Sequence, residues 1–432
     1  MMIAKARVVP TWAPFAILAV AFLLRVGFVL LHPRPLTSDE LDYDELAWSL
    51  AKNGTYQIHG HPTAYRPIGY PAIVGLGYVI FGRSPIAIRL LQSVCDSLTA
   101  LLLYRLFAVR DRLAGLYAGL MWAVFIPAML FSGQMFSETI FAFLLVLFVY
   151  LLSRSCAKEN KSPFAAGLVL GGLVLIKPMT LIFTAILVFT LARMKSCRKY
   201  LALLTWACLP VALWLGRNIV ELRSPALTTS TGINLLIGNN PQATGGYSRV
   251  AAPSSGSSET SADSAATRMA LQYIRENPWQ AAQTVVKKVL LLMSSDGELA
   301  VGNFSDAAAT SGLRFKERFR SVPIWVHLLV SLPSALLLIL GTFGLSTREP
   351  DLFGTVFYSL LAAILVSTIV FFGGSRFRLP LMPFLAGFAG EAIAQARLRT
   401  RKLRGWHLAL PLMVCSVCVL VWASEFYLIY RS

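Results

Sequence analysis

Five carboxylates crowd into seven positions, Asp39, Glu40, Asp42, Asp44 and Glu45, in a chain of 432 residues with only 21 acidic residues in all. They follow directly on a long apolar run. Carboxylates at a membrane surface, within reach of a lipid-linked substrate, signal chemistry rather than packing. Such a group can take a proton from an acceptor hydroxyl or amine. The competing reading is an N-cap followed by a solvated acidic face. On a helix starting near Asp39, Tyr43 falls one turn later on the same face.

Cations follow the carboxylates. Tyr65-Arg66-Pro67 offers a guanidinium able to grip a phosphate with two parallel hydrogen bonds, or to anchor on lipid headgroups. Gly373-Gly374-Ser375-Arg376-Phe377-Arg378-Leu379-Pro380 places two arginines at a junction between apolar runs. Flexible glycines and paired cations there ask for an anionic partner such as a phosphate or diphosphate, with snorkelling to bulk phospholipid as the alternative. Lys177, at a turn before Pro178, is a further candidate for phosphate. Glu138, in Ser137-Glu138, is either a carboxylate favoured by a helix start or a second site acid. His59-Gly60-His61 could join the carboxylates around a divalent metal, but a lone H-x-H in a loop is a weak metal signal, and no metal ligand is assigned.

The elements that must position these residues are membrane helices. The composition is 56% hydrophobic and 14% charged, and the mean hydropathy is +0.64, far too apolar for a soluble globule. Lys and Arg sit in short clusters between apolar runs, so the net charge of +18 reports membrane orientation and not a nucleic-acid partner. The six cysteines are scattered and read as ordinary apolar residues. Apolar runs at 12–31, 85–107, 113–131, 137–153, 200–217, 323–345, 352–373, 379–396 and 406–430, with two short passes in 163–192 meeting at Lys177-Pro178, give about eleven spans. The start, with Lys5 and Arg7 and no cleavage site, reads as a retained first helix. The basic clusters at 105–112, 154–161, 193–199 and 397–404 then all face the cytoplasm, with the N-terminus inside and the C-terminus outside. The short apolar stretch 69–82 is interfacial or re-entrant. Two segments on the outer side remain: 32–84, with the acidic cluster, and 217–322. The latter has a Gly/Asn-rich opening, a Ser-rich tract at 254–264 expected to be a loop, and helices over 266–276 and 279–293 broken by Asn277-Pro278. In the second of these, Trp279, Val286 and Leu290 beside Lys287 and Lys288 suit a helix lying on the membrane surface. The chain thus divides into 1–216, 217–322 and 323–432.

A family resemblance runs through these motifs. Asp39-Glu40-x-x-Tyr43-x-Glu45-x-Ala47 after the first span, then Tyr65-Arg66-Pro67-Ile68-Gly69-Tyr70-Pro71, resembles the GT-C membrane glycosyltransferases that use polyprenyl-phosphate sugars, in particular the protein O-mannosyltransferase and lipid A aminoarabinose transferase group (family 39-like). Ser137-Glu138, Lys177-Pro178, Ile237-Gly238-Asn239-Asn240-Pro241 with Gly245-Gly246, and Arg376-Phe377-Arg378-Leu379-Pro380 extend it over nearly the whole chain. The resemblance implies an all-α polytopic GT-C fold with juxtamembrane helices in the first outer loop, a small α-rich outer segment, and inversion at the anomeric carbon. It makes Asp39 the catalytic base with Glu40 beside it, and adds Asn239 and Asn240 to the site candidates. Arg66 stands where relatives in the aminoarabinose group have lysine, which leaves the donor sugar open. Few residues follow the last span, so acceptor recognition falls to 217–322 or to a partner.

The expected function is an inverting glycosyltransferase in the bacterial cytoplasmic (inner) membrane. It takes a hexosyl or pentosyl group from a polyprenyl-phosphate donor to lipid A, O-antigen or other polysaccharide, or protein, on the outer face. No cofactor is required by this reading, though a divalent metal stays open. An O-antigen polymerase or ligase also uses outer arginines but needs no acidic pair after the first span. A lipid-linked sugar transporter or flippase calls for ionisable residues deep in the bilayer and for repeat-related halves, neither of which the sequence displays.

Overall fold

The computed structural model describes residues 9–157, 163–193, 202–250, 258–305, 314–398 and 405–431. The described chain is almost wholly helical. Its one sheet is an antiparallel hairpin of Gln57–Ile58 with His61–Pro62. Both residues of the turn, His59 (φ 51°) and Gly60 (φ 79°), have positive φ, the geometry that a two-residue hairpin turn demands. The His-Gly-His motif is therefore accounted for by turn chemistry.

Among the described residues, seven helices are long and apolar enough to cross a membrane: Ala13–Leu31, Pro85–Ala108, Ser137–Ser155, Leu203–Leu222, Ile324–Ser346, Leu352–Val370 and His407–Arg431. An eighth is the pair Arg112–Ala123 and Ile126–Ser132, bent by 52°. The other expected crossings fall on shorter helices, Phe164–Ile176, Thr180–Arg193 and Met382–Leu398. The first two meet at Lys177-Pro178, where the proline lacks the donor that would continue the helix.

The bend lies just before Pro127, which has no N–H to give to the carbonyl of Ala123. Arg25, fully buried in the first span, donates to the carbonyls of Trp122 (2.9 Å) and Ala123 (2.7 Å), the ones released where the helix breaks. Its Nε lies 2.5 Å from Asp96 Oδ2, and Trp122 Nε1 donates to Asp96 Oδ1 at 3.0 Å. The expectation of no ionisable residue deep in the bilayer passed over Arg25 and Asp96, which form a buried pair between the first span and Pro85–Ala108. Each is fully partnered, so the pair serves as a brace that satisfies freed backbone groups in an apolar setting.

Two further departures concern the segment 217–322. The helix expected from 266 begins at Glu259, with Ser258 Oγ accepting from Ser261 N, and runs to Glu276. The helix Pro278–Leu291 follows, with Trp279 70%, Val286 59% and Leu290 42% exposed, as expected of a surface helix. Lys288, read from sequence as part of that surface, is instead fully buried.

Candidate functional site

The site starts at the short link between the first span and the helix Asp39–Asn53. Ser38 holds φ 52°, ψ −128°, a conformation a non-glycine residue keeps only when its surroundings enforce it. Glu40 supplies much of that enforcement. Its Oε2 accepts from Thr37 N (3.0 Å) and Thr37 Oγ1 (3.2 Å), and its Oε1 accepts from Arg34 Nη1 (3.0 Å) and Met135 N (2.8 Å), with Arg89 3.8 Å away. Glu40 is wholly buried. The structure therefore turns it away from the cavity, because four donors hold it on the protein side. The same bonds fix Asp39 on the other side, and through Met135 they tie it to the link before the helix Ser137–Ala157, whose first turn carries Glu138.

Asp39 faces a cavity of about 230 Å³ with Tyr43, Arg66, Glu138, Lys177 and Arg376. Arg66 Nη2 donates to Asp39 Oδ1 at 2.8 Å, and its Nε (3.0 Å) and Nη2 (2.8 Å) both reach Asp42 Oδ2. The guanidinium also lies over the rings of Tyr43 (5.6 Å) and Tyr65 (5.2 Å), a stack suited to its planar charge. Burial works against the Arg66 charge, but Asp39, Tyr43 and Asp42 more than offset it and hold its pKa above the ordinary value. Asp42 is thus half of the clamp on Arg66. Asp44 and Glu45 do stay outside the site: Asp44 pairs with Arg83 and accepts from Tyr78, and Glu45 lies 3.2 Å from His59.

Burial pushes the Tyr43 phenol up to about 12, with Arg66 opposing. Tyr43 stays protonated at any working pH and can only donate a proton in a hydrogen bond or accept one through its oxygen, leaving Asp39 and Glu138 as the lining groups able to act as a base. Glu138 Oε1 accepts from Lys177 Nζ at 2.9 Å. Lys177 reaches the cavity because it is the extended residue after the helix Phe164–Ile176.

Arg376 comes from the far end of the chain, on the 3-10 helix Ser375–Leu381. Its Nη1 lies 3.6 Å from Asp39 Oδ2 and, among the described residues, its nitrogens make no hydrogen bond. Burial opposes its charge, but Glu138 and Asp39 keep the guanidinium above its usual pKa. Arg378, two residues on, goes the other way. It donates to Leu292 O (2.7 Å) and Ser294 O (2.6 Å), lies 2.9 Å from Asp296, and is 2% exposed. Those bonds and the pairing with Asp296 hold Arg378 away from the cavity.

Asn239 and Asn240 are likewise turned from the cavity. Asn240 Nδ2 donates to the carbonyls of Leu236 and Ile237 in the preceding helix, Thr231–Gly238. Asn239 Nδ2 donates to Val370 O (2.9 Å), and Lys288 Nζ donates to Asn239 Oδ1 and Ile369 O, both at 3.0 Å. Together they cap the final carbonyls of the span Leu352–Val370. Gly373 N donates to Gly245 O at 2.8 Å, and a Cβ at Gly238 or Gly373 would collide with the carbonyl of Phe371 or Lys288. The turn leading to Arg376 is thus locked against 217–322. Among the described residues no carboxylate meets Lys288, and burial brings its pKa down to about 8. Tyr65 sits beside the cavity as a stacking partner of Arg66. His59 and His61 lie on the hairpin, and among the described residues no group of three His, Cys, Asp or Glu side chains is placed to hold a metal ion.

Sequence reasoning missed the neutral lining, which includes Thr228, Ser230, Thr231, Asn234, Ser367 and Thr368, with Phe136, Phe371 and Phe372 beside them. Such residues carry no compositional signal. Only the approach of the helices Thr231–Gly238 and Leu352–Val370 picks them out.

Residues 65–215 match the family model described as dolichyl-phosphate-mannose-protein mannosyltransferase. No curated protein matches the sequence significantly. Among solved structures, the chain resembles the apo form of the Archaeoglobus fulgidus oligosaccharyltransferase, with TM-score 0.51 and 14% identity, over 95% of this chain and 55% of that one. It resembles equally the oligosaccharyltransferase AglB from the same organism in complex with an inhibitory peptide and a dolichol-phosphate, with TM-score 0.51 and 15% identity, over 97% and 55%. The chain thus spans about half the length of these structures. ArnT from Cupriavidus metallidurans bound to undecaprenyl phosphate aligns with TM-score 0.40 and 12% identity, over 95% and 88%, too distant to bear weight.

Proposed function

We propose that the chain is a membrane glycosyltransferase of the GT-C type that transfers a sugar, with inversion, from a polyprenyl-phosphate donor to an acceptor on the outer face of the bacterial cytoplasmic membrane; the family match over residues 65–215 and the fold likeness to the archaeal oligosaccharyltransferase support this reading. The observation that carries the proposal is the Asp39 carboxylate standing 3.6 Å from Arg376, a cation with no hydrogen bond of its own among the described residues.

A phosphate entering the cavity finds Arg376 and Lys177 as charged donors. As the anomeric C–O bond to phosphate breaks, the electron pair stays with the phosphate, and these cations stabilise the charge that develops. The acceptor oxygen or nitrogen attacks the opposite face of the anomeric carbon and gives its proton to Asp39. Arg66, tied to Asp42, holds that carboxylate in place. Lipid A, polysaccharide and protein all supply acceptors of this chemistry, presented by the segment 217–322 or by a partner.

The test is a reconstituted assay with radiolabelled polyprenyl-phosphate sugar and membrane extract as acceptor source. Wild type should release polyprenyl phosphate and label an acceptor, and Asp39→Asn should slow this about 10²–10⁴-fold. Full activity in Asp39→Asn would sink the assignment, and movement of the intact labelled lipid across the bilayer without any product would favour a flippase.

A further inference from the structure

The charged residues provide for a phosphate and a base but leave much of the cavity wall unassigned. Thr231 and Asn234, on the helix Thr231–Gly238, and Ser367 and Thr368, near the end of the span Leu352–Val370, also line it. Among the described residues none of these four side chains makes a hydrogen bond within the protein. Thr368 is only 2% exposed, so its hydroxyl must find a partner inside the cavity. The lining carboxylates, in contrast, are already engaged: Asp39 by Arg66 at 2.8 Å and Glu138 by Lys177 at 2.9 Å.

Apart from Arg376, the open hydrogen-bonding capacity of the wall is therefore neutral. Three hydroxyls that donate and accept, and one carboxamide, are what a ring of sugar hydroxyls matches. Phe371 and Phe372, on the same wall, offer aromatic faces to the apolar C–H face of a pyranose. A protonated amine in this position would lose its hydration with no unpaired carboxylate to meet it.

We infer that the cavity is built for an uncharged sugar, gripped through its hydroxyls by Thr231, Asn234, Ser367 and Thr368, and that it discriminates against the same sugar bearing an amine. The inference rests on the transferase reading and narrows its donor.

The experiment measures equilibrium binding to the full chain in lipid nanodiscs. Three ligands are compared near neutral pH: bare polyprenyl phosphate, its neutral hexosyl derivative, and the derivative with one hexose hydroxyl replaced by an amino group. The hexosyl lipid should bind about tenfold more tightly than the bare lipid, and the amino-sugar lipid no more tightly than the bare one. The double variant Asn234→Ala, Ser367→Ala should bring the hexosyl lipid toward the affinity of the bare lipid. Asn234→Asp, which adds an unpaired carboxylate to the wall, should raise affinity for the amino-sugar lipid relative to the hexosyl lipid. Binding of the amino-sugar lipid as tight as that of the hexosyl lipid overturns the inference, as does a hexosyl lipid no tighter than the bare one. In either case tight binding of bare polyprenyl phosphate leaves the transferase reading standing. If none of the three lipids binds, the donor reading falls and the inference falls with it.

Discussion

Asp39 and Glu40 are neighbours, and Arg376 and Arg378 are two residues apart, yet each pair divides between two regions. Asp39 and Arg376 open on the cavity with their side chains 24% and 33% exposed, whereas Glu40 and Arg378 are sealed at 0% and 2%. In the cavity the ions keep part of their surface open to a ligand. In the braces they are sealed inside the protein and held by buried protein groups. The difference teaches that charge type does not identify a catalytic group in this chain. What identifies it is unspent hydrogen-bonding capacity at an accessible surface. A site formed this way needs both members of each pair, one to act and one to hold the backbone that aims it.

The largest expected effect separates the first pair. Asp39→Asn should lose about 10²–10⁴ in transfer rate with an unchanged thermal midpoint in detergent. Glu40→Leu leaves Arg34 and Arg89 buried without their carboxylate and should destabilise the fold by about 3–5 kcal/mol, a drop visible in the midpoint before any assay. A Glu40→Leu protein as stable as wild type would break the comparison. The second pair is next. Arg378→Met strands Asp296 and should cost a similar amount of stability, whereas Arg376→Ala should keep the fold and weaken polyprenyl-phosphate binding about 10–100-fold, the worth of one charged hydrogen-bonding partner.

A smaller effect concerns pH. Lys288 in the folded chain has its pKa brought down by burial to about 8, from 10.5 in the unfolded chain. Between those values the unfolded state holds more protons, so the stability contributed by this group rises as pH increases through the interval. Thermal midpoints at about pH 7.5 and pH 9.5 should therefore shift in favour of wild type relative to Lys288→Met. Parallel behaviour of the two proteins would show that Lys288 is not held as described. The smallest effect is that of Asp42→Asn, which keeps an acceptor for Arg66 and should reduce transfer only about tenfold or less.

The sequence made the lining cluster legible because each member stands at a forced position. Asp39 and Glu138 begin helices after apolar or polar breaks, Lys177 precedes a proline, and Arg376 follows two glycines. The expected placement of all of them on one side of the membrane is compatible with a shared cavity, and the structure brings Asp39, Tyr43, Arg66, Glu138, Lys177 and Arg376 together. The division between Glu40 and Asp39 was not legible, because it depends on Met135 N and Arg89, donors far away in sequence. Lys288 defeated the amphipathic reading for a related reason. Beside Lys287 it looks like surface, and only the carbonyl of Ile369 and the amide of Asn239 reveal an interior place for it. The Ser-rich tract misled in the opposite direction, since Ser258 acts as the cap of a helix where a loop was expected.

The approach of Arg376 to Asp39 joins residues from near the two ends of the chain, and this orders events during synthesis. When the first spans have been inserted, Asp39 already has Arg66 and the carboxylate is neutralised on one side. The second cation arrives only after almost every other helix has been made and the turn before Arg376 has been locked by Gly245 and Lys288. A chain that stops short of Arg376 would leave Asp39 with Arg66 alone and without the second cation.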